Sequence, residues 1–543
     1  MTPLIIRVLV LCLILWGAIY IRNGHSIAFT NPWQNSPACS SIEKKIIALL
    51  GIVMSVVAFN ALCFPPSNWD SMAYHMSRVA NWFQNRSVFP YVTNDQRQNQ
   101  MTPGAEYLIL IEQLFWESDR WANSIQLNAF LIIGFGLWGW FINWGVSRLN
   151  SLAIISVFLA APMVVLQAQT TQNDLVASVP TVVIVVAVVD HFLRNIFPYR
   201  ANCTRYLVCA VPIAMGTGYL IKPTSILICT PFLLAIAPAY FLTIVRDFRS
   251  FISSLGSVFF GVLATISEIT HKWLKYGHIN AENLVTLRLS SPMEQLFNSI
   301  RHIVDHLPAA VSLPVVSFVG KIFEVDLNIL TRLDLVFSIR STEDYVGNPL
   351  QLFVTIIFLG PLIVRLRDKR LYIIGLSLLS SWLLFHAIVK NQTWTSRLQT
   401  PWFVATSIVW GATISQSLIL FQRTLVKRIG CAVVFTSLAM TFYIQGSVTG
   451  QRLFQSDLTI PTDEPKRFKA YYLRRSLIKF DFENLKRLIG ECKIVYIKSR
   501  RNQYDYPLAW MAIKSGKRVQ YITDEPNENY NECVFLPSFS RGG

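Results

Sequence analysis

The chain has no short metal-binding or redox motif. Its nine cysteines form no CxxC pair and show no Cys/His spacing of a metal site, and most stand inside apolar runs as small packing residues. Only Cys492 and Cys533 share a polar segment, which permits a disulfide but does not indicate one. His75, His271, His278, His302, His306 and His386 offer a single weak H-x-x-x-H pair, His302 and His306, so zinc is disfavoured and surface or core histidines are the plainer reading. Charge is also scarce. Of the 543 residues 15% are charged and 52% hydrophobic, which excludes an ordinary soluble domain of this length. There is no internal repeat and no low-complexity tract. The first apolar run, 4–21, has neither a basic segment ahead of it nor an A-x-A-like cleavage site, so it is expected to be a retained helix and not a signal peptide.

What the chain does have is apolar runs near 20 residues, the length of helix needed to cross ~30 Å of hydrocarbon. Spans are expected at roughly 4–21, 46–64, 126–146, 151–168, 175–193, 206–221, 223–245, 251–270, 351–364, 371–389, 401–421 and 429–446. The fold class is therefore an all-α polytopic membrane protein of about 12 transmembrane helices. The net charge of +17 reports topology and not nucleic-acid binding. Arg194, Arg200 and Arg205; Arg246 and Arg249; Arg365, Arg367, Lys369 and Arg370; and Arg423, Lys427 and Arg428 fall in four loops that share one side if the spans alternate. That side is then cytoplasmic.

The segments 65–125, 169–174, 271–350 and the tail after 447 fall on the other face. The expected domains are a membrane domain, 1–446, with outer loops 65–125 and 271–350, and a small extracytoplasmic α/β domain, 447–543. In that tail KIVYIK, PLAWMAIKSG, RVQYIT and CVFLP read as strand, helix, strand, strand. It has no G-x-G-x-x-G and no nucleophile elbow, so scaffolding or docking is its default role.

Candidate site residues collect on the same face. In NWDSMAYHMSRVANWFQN (68–85) a helical period puts Met72, Met76, Val79 and Phe83 on one side. Asp70, Tyr74, Arg78, Asn81 and Asn85 fall opposite. Such a helix is expected along the membrane interface or against the bundle; the plainer alternative is a surface helix with solvated charges, with Asp70 as its N-cap. Asp174 in QNDLVAS stands at the start of a span, where a carboxylate is costly unless paired or wet, or else caps the helix. Lys222 in LIKPTS, Lys390 and Arg397 in VKNQTWTSRLQTP supply three cations of the kind a lipid phosphate needs. A divalent ion held by outer-face carboxylates is left open.

Together these features resemble the membrane-embedded GT-C glycosyltransferases, in particular the family 39 group that includes protein O-mannosyltransferases and the aminoarabinose transferase acting on lipid A. The resemblance rests on Asp70 in NWDSMAY, the Pro-containing return MTPGAEYL, Asp174 in NDLVAS, Lys222 in LIKPTS and the late RLQTP, and it covers roughly 45–446. The chain differs in having a lone Asp where many members have Asp-Glu, Glu106 where others carry an aromatic, and Arg397-Leu398 where a Tyr-containing version is common. The segment EDYVGNP (343–349) also looks like a recurring feature of bacterial members.

The resemblance implies a GT-C helical bundle and an inverting transfer of sugar from a polyprenyl-phosphate donor at the non-cytoplasmic face of a cell membrane. Asp70 and Asp174 would be the catalytic pair. Lys222, Lys390 and Arg397 would face the phosphate, with Tyr74, Arg78 and Glu106 shaping the cavity. A carrier or flippase, and a ligase for lipid-linked glycans, are the alternatives.

Overall fold

The computed structural model describes residues 39–193, 203–276, 292–306, 347–364, 368–392, 394–416 and 424–455, with 489–498, 504–522 and a few shorter pieces. The expected span 4–21 and the segment EDYVGN (343–348), up to its last two residues, lie outside these.

Helix α1, Ser41–Cys63, opens on a capping box in which Ser40 and Glu43 satisfy each other's backbone N–H, closing two donors that a helix start otherwise leaves bare. The other long helices follow in the expected order: α2 Ser124–Asn143, α3 Asp174–Leu193, α4 Cys203–Ile221, α5 Pro223–Arg246, α6 Phe248–Tyr276, α7 Pro349–Val364, α8 Lys369–Ile388, α9 Thr400–Gln416 and α10 Thr424–Gln455. Among the described residues, seven helices are long and apolar enough to cross a membrane. The expected span 151–168 is instead two pieces, Arg148–Leu159 and Pro162–Gln167. Pro162 explains the break, because it has no N–H to donate and its ring crowds the preceding turn.

Helix α3 is largely enclosed, with Ile184, Val185, Ala187 and Val188 fully buried against α2, α4, α5 and α9. On α6, Phe259, Phe260 and Leu263 are more than half exposed, the apolar surface a lipid-facing helix presents. Helices α4 and α6 meet backbone to backbone: a Cβ at Gly216 would lie 2.3 Å from the Gly261 carbonyl oxygen.

The segment between α1 and α2 folds into a layer at one end of the bundle. It contains a π-helical turn, Ser71–His75, which runs into α-helix Met76–Asn85, and a second helix, Gly104–Trp116. The C-terminal unit packs onto this layer. Its parallel sheet has strand order β2-β1-β3, with β1 Ile494–Lys498, β2 Arg518–Ile522 and β3 Val534–Phe535. Ile494 pairs with Arg518 and Tyr496 with Val534. The crossover helix Tyr506–Lys514 joins β1 to β2, as a parallel pair requires. Met72, Met76, Val79 and Ile109 form one buried cluster with Val495, Ile497, Tyr506, Trp510 and Val519.

That cluster corrects the reading of the 68–85 helix. Its apolar side does not rest on headgroups but lies under the C-terminal unit, with Phe83 edge-on to Trp510 at 5.4 Å. Nor is most of its polar side solvated: Tyr74, Arg78 and Asn81 are 5%, 1% and 5% exposed, and only Asn85 at the helix end is exposed. A hydrophobic period identifies two faces but not what covers the polar one.

Candidate active site

Asp70 lies inside the helical turn at φ −64°, ψ −38° and makes no cap bond, so its carboxylate is free to face elsewhere. Oδ2 accepts a hydrogen bond from Arg397 Nη2, and Oδ1 lies 3.4 Å from Arg97 Nη1. Burial works against the charge on Asp70, but the Arg397 and Arg97 guanidiniums outweigh it and hold the carboxyl down at about 2. Arg97 is itself fixed by Asp95, at 2.9 Å through Nε and 2.6 Å through Nη2. Its guanidinium covers the Tyr74 ring at 4.7 Å.

Glu106 forms the next contact inward from the loop. Its Oε1 is 2.9 Å from His75 Nδ1 and 3.2 Å from Arg78 Nη1, with all three side chains within 1% of full burial. Burial raises the pKa of Glu106, and Arg78 with His75 more than reverses the effect, so the group is held ionised. Arg78 also donates to the carbonyls of Gln98, Arg97 and Met101, fastening the helix to the polar loop.

Asp174 and Lys222 make the third pair, Nζ to Oδ1 at 2.5 Å. Asp174 does not cap α3. Gln126 does so from the neighbouring helix, its Oε1 accepting from the N–H groups of Leu175 and Val176 at 3.0 and 2.9 Å. The first-turn donors are thus met without the carboxylate. Asp174 Oδ2 and Glu106 Oε2 are buried with no hydrogen-bond partner, an arrangement native proteins keep where a group is needed for a ligand or water.

The loop return locks these pieces together. Thr102 Oγ1 donates to the Ile221 carbonyl at 3.1 Å, and Asn173 Nδ2 reaches the same oxygen at 3.3 Å. Gly104 lies so close to that junction that a Cβ would meet the Leu220 oxygen at 2.8 Å and Ile221 Cα at 2.9 Å. The glycine of MTPGAEYL is therefore required by the approach of the loop to the α4–α5 elbow that carries Lys222.

Of the sequence-expected residues, Asp70, Tyr74 and Arg397 share one cluster, Arg78 and Glu106 adjoin it through His75, and Asp174 pairs with Lys222. Lys390 is exposed in the irregular stretch before Arg397, outside these ion pairs. The residues missed are Arg97, Asp95 and His75. Arg97 stands two positions after Asp95, a local pairing that the polar run TNDQRQNQ did display, whereas His75 passed for an ordinary core histidine.

Arg397 is anchored from behind. Two residues on, Gln399 sits between two histidines of the segment that begins with helix Pro292–Val304. His306 Nε2 donates to Gln399 Oε1 at 2.6 Å, and Gln399 Nε2 donates to His302 Nδ1 at 3.1 Å. The chain continues from His302 Nε2 to the Val389 carbonyl at 2.9 Å, while His306 Nδ1 accepts from the Asn348 N–H at 3.1 Å. Each ring has one donor and one acceptor, the pattern of neutral imidazole. Burial lowers both histidines to about 4. Among the described residues no three His, Cys, Asp or Glu side chains stand together as metal ligands.

Two solved structures are similar to this chain. ArnT from Cupriavidus metallidurans in the apo state matches with a TM-score of 0.50 at 10% identity, covering 92% of this chain and 90% of that one. ArnT from the same organism bound to undecaprenyl phosphate matches at 0.48 and 12%, covering 91% and 90%. No family model matches, and no curated protein does. At 10% identity the likeness to the apo structure is one of fold: the chain has the GT-C type helical fold of an integral membrane protein, as the motifs led one to expect.

Proposed function

We propose that the chain is an inverting glycosyltransferase that moves a sugar from a polyprenyl phosphate to a hydroxyl of a lipid, glycan or protein acceptor at the non-cytoplasmic face of a cell membrane. The observation that carries this reading is the contact of Asp70 with both Arg397 and Arg97, beside the Lys222–Asp174 pair. A carboxylate thus lies at one end of the bundle with cations of the kind a lipid phosphate needs.

A carboxylate held at about 2 by two guanidiniums is a weak base, and this suggests how the donor switches it on. A lipid phosphate competes for Arg397 and Arg97 with bidentate hydrogen bonds. As they turn to it, Asp70 loses the charges that depress its pKa, and its basicity rises. Asp70 then takes the proton of the acceptor hydroxyl as that oxygen bonds to the anomeric carbon. The bond from that carbon to the phosphate oxygen breaks, and the polyprenyl phosphate leaves with the electron pair, its charge met by Arg397, Arg97 and Lys222. Attack opposite the leaving group inverts the centre. Asp174 Oδ2, which has no partner, would accept a hydroxyl of the sugar or acceptor.

The non-cytoplasmic assignment draws support from the positive-inside pattern and from Cys492, which is held in a disulfide. Disulfides persist in oxidising compartments.

The test is transfer from radiolabelled undecaprenyl-phosphate sugars by purified wild type, Asp70→Asn and Lys222→Ala. Wild-type transfer that vanishes in Asp70→Asn supports the reading. Label that crosses a proteoliposome membrane with no new glycoside would replace it with a carrier.

A further inference from the structure

A cleft opens beside Arg78, between the loop tip, the start of helix Gly104–Trp116 and α6. Its walls include Phe89, Pro90, Asn99, Pro103, Tyr107 and Glu268, and its volume is about 120 Å³. That is several times the roughly 15 Å³ needed to admit a single water, so the cleft admits a ligand larger than water.

The chemistry of the walls selects among ligands. Phe89 is 74% exposed, and Tyr107, stacked on Trp82 at 5.2 Å, is partly exposed. With the two prolines they give flat apolar surface. The polar atoms available are acceptors for the most part. Glu268 pairs with Lys272 through Oε1 at 2.9 Å, leaving Oε2. Asn99 commits its amide N–H to the Tyr91 carbonyl at 2.8 Å, leaving its oxygen. The cation in the wall, Arg78, is directed to backbone carbonyls and to Glu106, so a phosphate here would face a carboxylate with little to bind it.

We infer that this cleft is a saccharide-binding subsite that holds a glycan portion of the acceptor. A pyranose has a C–H face that packs on aromatic rings and a rim of hydroxyl donors that suits Glu268, Asn99 and the Tyr107 hydroxyl. Only the word acceptor rests on the transferase reading; binding itself does not involve Asp70. Arg78, shared between this wall and Glu106 at 3.2 Å, joins the subsite to the ion-pair cluster.

The test is saturation-transfer NMR of the full chain in lipid nanodiscs with maltotriose, cellotriose and chitotriose, comparing wild type, Phe89→Ala, Tyr107→Phe and Asp70→Asn. Phe89 is exposed and Tyr107→Phe keeps the ring stack, so neither change threatens the fold. We expect ring-proton saturation from at least one trisaccharide, at least a twofold drop in Phe89→Ala or Tyr107→Phe, and full signal in Asp70→Asn. No saturation with any of the three, or a smaller change in both cleft variants, overturns the subsite. A cleft that binds sugar in a protein that transfers none would refute the transferase and not the cleft.

Discussion

Lys222 stands at the N-cap of α5 and caps nothing; its ammonium reaches back 48 positions to Asp174 Oδ1, 2.5 Å away. Both groups are largely out of water, with side-chain exposures of 15% and 1%. The pair ties the α4–α5 elbow to the start of α3, which turns two helix ends into one charged surface.

Removing the cation strands the anion. Lys222→Met is expected to lower stability by about 3 kcal/mol, the usual cost of breaking a buried pair. Adding Asp174→Asn should recover much of it without restoring transfer. Thermal unfolding in detergent and the transfer assay, run on both variants, separate the two roles.

Asp70→Asn keeps the shape of the side chain and removes its charge and basicity. Transfer is expected to fall on the order of 10²- to 10⁴-fold, the range attributed to general-base assistance. Binding of undecaprenyl phosphate should hold or tighten, because Arg397 is released. Loss of binding together with transfer would assign Asp70 to the framework instead.

The Gln399 clamp needs neutral histidines, which sets a pH dependence. His306 titrates at about 4 in the fold against ~6.5 in an unfolded chain, so between those values only the unfolded state holds the proton. Stability is then complete above pH 6.5 and declines toward pH 4, by about 1.4 kcal/mol per unit for each such histidine. The melting temperature should drop on going from pH 7.5 to 5, and the drop should be shallower in His306→Gln.

Gly104→Ala tests the close approach at the elbow. With backbone atoms at 2.8 and 2.9 Å from the added carbon neither side yields easily, and overpacking of this kind costs about 1–3 kcal/mol. Melting temperature and transfer are both expected to fall. A variant with wild-type behaviour in both would show that the loop does not depend on this contact.

Most of the described spans and the strand-helix-strand tail were legible because hydropathy and period are local properties of sequence, whereas the break inside the expected span 151–168 was not. Asp70, Asp174, Lys222 and Arg397 were legible as types in particular places, yet nothing local pairs Asp70 with a residue 327 positions away. The burial of Tyr74, Arg78 and Asn81 was not legible either. An amphipathic pattern is the same whether water or folded protein meets the polar face, and here Glu106, Gln98 and the 97–101 backbone meet it. The capping of α3 by Gln126 was equally hidden, since Asp174 at the first helical position fits the capping pattern on its own.

Trp69 rests against Tyr504, ring centres 5.6 Å apart, and Gln84 bonds to the backbone of Val519, 435 positions later. A ribosome must therefore have passed Val519 before the first inter-helix layer has its other half. During synthesis the helices enter the bilayer while Met72, Met76 and Val79 still lack their cover. Assembly of the Asp70 region thus waits on the C-terminal unit, and a nascent chain stalled before β1 and β2 would hold inserted helices and an unfinished site.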